Sequence, residues 1–269
     1  MRARAALAVQ RRDGRSVVTT LRAQAPLALV PRRGAAGAAG PGAQVHLVGS
    51  AAGPLAGDRV EIDVTVGPGA DLLLTGIAAA VALPGTGSPS RTVLRCRIAD
   101  GASLTYLPEP TVVTGRADHH TVFEAELAPT ASLRARDVLV AGRTGERPGR
   151  YRGTVRIGCD GRPLLVQTQE IGDPLLDGSA AHLAGHRVLG TEVVISTGPA
   201  PEPLAGDGWS LSPLPVRGAL ATAVAHDAVT AQRRLAEALA GLAGRAQAAQ
   251  EGGCSHVVVR NRSQNPSRV

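Results

Sequence analysis

Val60-Glu61-Ile62-Asp63-Val64-Thr65-Val66 puts an apolar side chain at every second position and a polar one between. Successive side chains of an extended chain point to opposite faces, so this spacing predicts a strand with one buried face. The period returns at Leu94, Cys96 and Ile98, with Arg95 and Arg97 turned the other way. Phe123, Ala125 and Leu127 repeat it against Glu124 and Glu126, and Val155, Ile157 and Cys159 give a further strand. Alternation dominates from about residue 45 to 171.

The first of these strands also begins a weak repeat. Val64-Thr65-Val66-Gly67-Pro68-Gly69-Ala70-Asp71-Leu72 aligns with Cys96-Arg97-Ile98-Ala99-Asp100-Gly101-Ala102-Ser103-Leu104, and then with Ala125-Glu126-Leu127-Ala128-Pro129-Thr130-Ala131-Ser132-Leu133. Each is strand, tight turn, small residue, strand, with Gly and Pro supplying the turn dihedrals. A period of roughly 30 residues predicts stacked β layers. Arg12-Asp13-Gly14-Arg15 and Asp160-Gly161-Arg162-Pro163 read as related turns. A β-sandwich would use the same short strands and is the competing arrangement.

The expected fold is therefore mainly β: a β-helix-like, layered β body with a C-terminal helical segment. Residues 1–196 form the β-rich body, interrupted by a Gly- and Ala-rich loop at 32–42. Residues 197–269 form a Pro-rich linker, a helix and a flexible tail that pack on the same domain. Pro199 to Pro215 reads as irregular, and Ala219 to Ala249 as helical, with Leu235, Leu239 and Leu242 on one face.

Hydrophobic residues make up 43% of the 269 positions, enough for a core, but aromatic residues only 1%, so that core must be aliphatic. The formal charge is +7, and with no Lys in the chain the positive charge is all Arg. The arginines are scattered and there is almost nothing aromatic to stack on bases, which argues against nucleic acid; an acidic protein partner fits better. Cys96, Cys159 and Cys254 stand far apart, without a CxxC pair. No apolar run reaches the roughly 20 residues of a membrane-spanning helix. The expected setting is the cytoplasm.

No G-x-S-x-G elbow, Lys-bearing phosphate loop or H-E-x-x-H helix is present, so the sequence predicts no enzyme. His119-His120 is the most visible metal candidate, since imidazole suits nickel, zinc and copper. Neighbours on a strand face opposite ways, however, and the plain reading is a surface pair. Cys254 and His256 could share a face and hold a soft metal. His182 and His186 would align only on a helix, which Gly185 opposes. Asp58, Glu109, Asp137 and Glu146 are read as standing where strands meet turns; such carboxylates either cap backbone amides or line a polar path.

Taken in order, several segments resemble one family. Gly53-Pro54-Leu55-Ala56-Gly57-Asp58-Arg59 resembles the Gly-Gly-x-x-x-Gly-Asp segment of the urease accessory protein family UreD (UreH), and Gly67-Pro68-Gly69-Ala70 follows the next strand as it does there. Leu107-Pro108-Glu109-Pro110-Thr111, Gly142-Arg143-Thr144-Gly145-Glu146, Asp160-Gly161-Arg162-Pro163-Leu164 and Leu214-Pro215-Val216-Arg217-Gly218 resemble its later motifs. Leu74 to Leu83 departs from the family pattern, having lost its polar and aromatic groups, which marks a divergent subgroup.

The resemblance implies a non-catalytic β-helix-like body that binds UreF-like and UreG-like accessory proteins and apo-urease. It also implies nickel in transit through an interior passage, with no tightly held cofactor. On that basis Asp58, Glu109 and Glu146 are the expected polar passage residues, with Arg143 orienting a carboxylate. The alternative is a β-solenoid interaction module unrelated to nickel.

Overall fold

A computed structural model describes residues 1–32 and 42–252 of the chain. The chain opens with strands β1 (Arg2–Arg12), β2 (Arg15–Ala23), β3 (Leu27–Pro31) and β4 (Ala43–Gly49). Successive coils follow: β5 (Arg59–Val66), β6 (Asp71–Gly76) and β7 (Ala80–Ala82); then β8 (Ser90–Ile98), β9 (Ser103–Leu107) and β10 (Thr111–Val113); then β11 (Asp118–Leu127) and β12 (Ser132–Ala141). β13 (Arg150–Cys159) and β14 (Arg162–Ile171) lead to the short helix α1 (Pro174–Asp177). The chain continues through β15 (Val188–Ile195), β16 (Leu204–Gly206), β17 (Trp209–Pro213), β18 (Ala219–Ala225) and α2 (Ala228–Gly252).

Two sheets face each other. A seven-stranded sheet runs β14-β13-β11-β8-β5-β1-β2, and an eleven-stranded sheet runs β16-β17-β18-β15-β12-β9-β6-β4-β3, with β7 and β10 joined beside it. Strands β1, β5, β8, β11 and β13 are parallel neighbours, as are β4, β6, β9 and β12. Register partners lie roughly 30 residues apart: Arg59 faces Arg91, Ser90 faces His119, Asp118 faces Arg150. This is the β-solenoid-like arrangement that the repeat predicts.

The repeat also locates the corner of the coil. Ala70, Ala102 and Ala131 each donate a backbone N–H three residues back, to Gly67, Ala99 and Ala128, and all three are buried. The turns stack directly, with Ser103 N–H bonded to the Ala70 carbonyl and Ser132 N–H to that of Ala102. A larger side chain would force adjacent coils apart, so only a small residue fits. The two Asp-Gly turns serve otherwise. Asp13-Gly14 and Asp160-Gly161 all have positive φ and close the antiparallel hairpins β1–β2 and β13–β14 at the two ends of the smaller sheet.

The core between the sheets is aliphatic, built from ladders such as Val9, Val66, Ile98 and Leu127 across four neighbouring strands. Tyr106 stacks on Phe123 at 5.8 Å between ring centroids.

Two expectations about the last third of the chain need correction. Pro199 to Pro215 is not irregular throughout: β16 and β17 form within it and extend the larger sheet. Ala219 to Ala225 is strand β18, not helix, and the helix begins at Ala228. Ala219, Ala221, Ala223 and Ala225 are buried at every second position, and α2 packs Ala231, Leu235 and Ala238 on that small-residue face. Leu239 is partly buried in the same cluster. Most of the expected loop at 32–42 lies outside the described residues.

Candidate functional site

Toward the N-terminal ends of β5, β8, β11 and β13 the inward ladders change character. Ser90, His119 and Tyr151 are register partners there. The next inward level holds Thr92, Thr121, Gly153 and Gln169. From the larger sheet, Asp137 pairs with Thr191, which pairs with Thr222. Aliphatic filling gives way to short polar side chains, and the space between the sheets opens into a cavity of about 270 Å³. Asp58, Glu109, His119, Asp137, Gln167 and Gln169 contribute to its lining.

Tyr151 organises this space. Its hydroxyl donates to Asp137 Oδ2 at 3.0 Å and lies 2.6 Å from Thr121 Oγ1. Gly153 is required beside it, because a Cβ there would sit 2.6 Å from the Tyr151 hydroxyl. Burial raises the Asp137 carboxyl above its ordinary pKa, and the hydrogen bonds from Tyr151 and the Val138 N–H oppose that only in part. Burial, then the charge of Asp137, raises the Tyr151 phenol as well. The tyrosine thus stays a neutral donor.

His119 is 3% exposed, with Nδ1 2.9 Å from Ser90 Oγ. Burial lowers its pKa to about 4, against an opposing hydrogen bond to the Ser90 backbone, so the imidazole is neutral at pH 7. His120 faces outward, with Nε2 3.3 Å from Asp118 Oδ1. The pair therefore splits across the sheet, as strand geometry requires, but His119 is an interior residue and not a surface one.

Asp58 is buried at the start of β5, accepting from the Met1 ammonium at 2.8 Å and from the Leu55 N–H at 2.9 Å. Burial raises its pKa, but these donors outweigh it and the carboxyl stays below its usual range. Glu109 is exposed and reaches the lining from the segment after β9. Arg143 and Glu146 lie elsewhere, outside the cavity lining. Glu146 closes its own turn by accepting the Arg143 N–H at 3.1 Å, and that bond is the main reason its pKa is lowered. The Arg143 side chain is exposed.

Asp137, read as standing beside a turn, lies within β12 instead. The signal was present: Leu133, Ala135, Asp137, Leu139 and Ala141 share one phase, so an acid occupies an inward position. His182 sits in a turn and His186 just after it; His182 Nε2 meets the Glu170 carbonyl at 2.7 Å and His186 stacks on His226. Cys254 and His256 lie outside the described residues. Among the described residues, no three His, Cys, Asp or Glu side chains gather at one point. No described helix is long and apolar enough to cross a membrane.

A coil of this kind with a polar interior end invites comparison with known proteins. The family model described as UreD urease accessory protein matches residues 1–257. The chain belongs to the UreD family. Urease accessory protein UreD 1 of Saccharopolyspora erythraea is 54% identical over 242 residues, covering 89% of this chain and 94% of that protein. Urease accessory protein UreD of Parafrankia sp. is 40% identical, covering 90% and 89%. That of Streptomyces coelicolor is 39% identical, covering 86% and 93%. Membership of the UreD family makes the chain an accessory protein of urease maturation rather than a catalyst.

Proposed function

We propose that this chain hands nickel to apo-urease through its interior cavity, working in the cytoplasm with UreF-like and UreG-like accessory proteins. The observation that carries the reading is the cavity itself, whose lining brings Asp58, Glu109, His119 and Asp137 to one space. Each comes from a different strand or turn. Transfer needs ligands that hold a cation weakly and release it, and singly placed oxygen and imidazole donors suit that better than a tight cage. The cavity would act as a path with successive weak stations, Asp137 among them.

Co-expression of urease with its other accessory proteins, with and without this chain, tests the role. Nickel per urease active site and urea hydrolysis should both collapse without it, and the chain should co-purify with the UreF-like and UreG-like proteins. Unchanged nickel loading in its absence would instead leave a non-catalytic interaction module.

A further inference from the structure

The outer face of the seven-stranded sheet carries its charges in rows, because register partners share a face. Two of those rows differ sharply. One crosses Arg22, Ala6, Asp63, Arg95, Glu124 and Arg156, alternating in sign where it is charged. It neutralises itself: Glu124 pairs with both Arg95 and Arg156 at 3.4 Å.

The other row crosses Arg2, Arg59, Arg91, His120 and Arg152, on β1, β5, β8, β11 and β13 in spatial order. Only at its far end does an acid appear, Glu170, which pairs with Arg152 at 3.4 Å. His120 has Asp118. Arg2, Arg59 and Arg91 are exposed, and among the described residues their side chains make no ion pair or hydrogen bond. Like charges directly opposite one another destabilise a sheet. Three consecutive unpaired arginines are therefore a cost that the fold itself does not offset. The row also lies directly behind the polar level of the cavity, since Arg59, Arg91 and His120 follow Asp58, Ser90 and His119 in sequence.

We infer that this row is a docking surface for an acidic α-helix of a protein partner, laid across the strands with one carboxylate per turn. Adjacent strands are about 4.8 Å apart, so the five positions span about 19 Å. A helix advances 5.4 Å per turn, close to that step, and covers the span in about 13 residues. An extended segment repeats a side-chain direction only every ~6.7 Å and falls out of step. A second copy of this chain does not supply the helix, because the side chains described for α2 include Arg233 and Arg234 against one acid, Glu237. This surface is independent of the cargo proposed above.

The test is fluorescence anisotropy of a labelled helical peptide with Glu at one position per turn, titrated with the full-length protein at low salt. An isomer with the same composition but Glu spread around the helix serves as comparison. The striped peptide should bind more tightly than its isomer. R59E/R91E should weaken it tenfold or more, while R97E, in a different row, changes it less than about twofold. A striped Lys peptide should prefer R59E/R91E over the wild-type chain, which also shows that the variant is folded. Equal binding of the two Glu peptides, no binding of either, or failure of the charge swap would overturn the inference. So would a single-stranded oligonucleotide that binds more tightly than the striped peptide and is lost in the same variant.

Discussion

Tyr151 bears more of the site than any other residue, since one hydroxyl serves both Asp137 and Thr121. Tyr151→Phe keeps the ring and removes one of the carboxyl's two donors, leaving it the Val138 N–H. Loss of a hydrogen bond to an interior carboxyl costs about 1–3 kcal/mol. Denaturant unfolding at pH 7 should show that loss without a change in slope. His119 makes a pH-dependent contribution whose sign follows from its lowered pKa. The folded state holds the imidazole neutral down to about pH 4, whereas the unfolded chain takes up its proton near 6.5. Between those values the unfolded state binds more protons, so stability is lost as pH falls. That interval corresponds to roughly 3 kcal/mol at 1.36 kcal/mol per pH unit. His119→Gln should flatten the unfolding free energy between pH 6.5 and 4; an unchanged slope there would assign the acid sensitivity to other groups.

At the scale of elements, the alternating strands and the stacked corner turns were legible, because period two and a small residue at the corner both follow from local geometry. The three corner alanines sit where the repeat aligned them. Strand β18 was not legible. Ala is the strongest helix former, so Ala-Leu-Ala-Thr-Ala-Val-Ala reads as the start of a helix. Packing decides otherwise: small side chains at every second position let α2 approach the sheet closely. Gly190 marks the same approach, since a Cβ there would lie 2.9 Å from Leu235 Cδ1. Leu235 is 0% exposed at that contact. Leu235→Ala should therefore cost about 2–5 kcal/mol, read as a fall in unfolding midpoint. Val229→Ala, on an exposed position of the same helix, should cost well under 1 kcal/mol.

Over the whole molecule, a coil that repeats its backbone does not repeat its interior. The coil stays regular while the inward side chains pass from Val, Ile and Leu at one end to Thr, Gln, Asp and His at the other. Family membership was legible in short motifs, each of which maps to a turn or strand end. The cavity was only half legible, because its lining is assembled across strands far apart in sequence. Asp58 and Glu109 reach it, but Glu146 and Arg143 close a turn beyond its lining. Asp137 and His119 enter through phase alone. These assignments separate two variants that sequence motifs would rank the other way. Glu146→Ala removes a cap from a turn and leaves the cavity untouched; Asp137→Leu keeps a side chain of similar size and removes the carboxyl that Tyr151 holds in the cavity lining. The decisive measurement is nickel per active site in urease co-expressed with each variant, alongside co-purification of the accessory complex. The account predicts near-normal loading with Glu146→Ala and a severalfold loss with Asp137→Leu while the complex still forms. Full loading with an assembled Asp137→Leu chain would contradict a cargo path through the cavity.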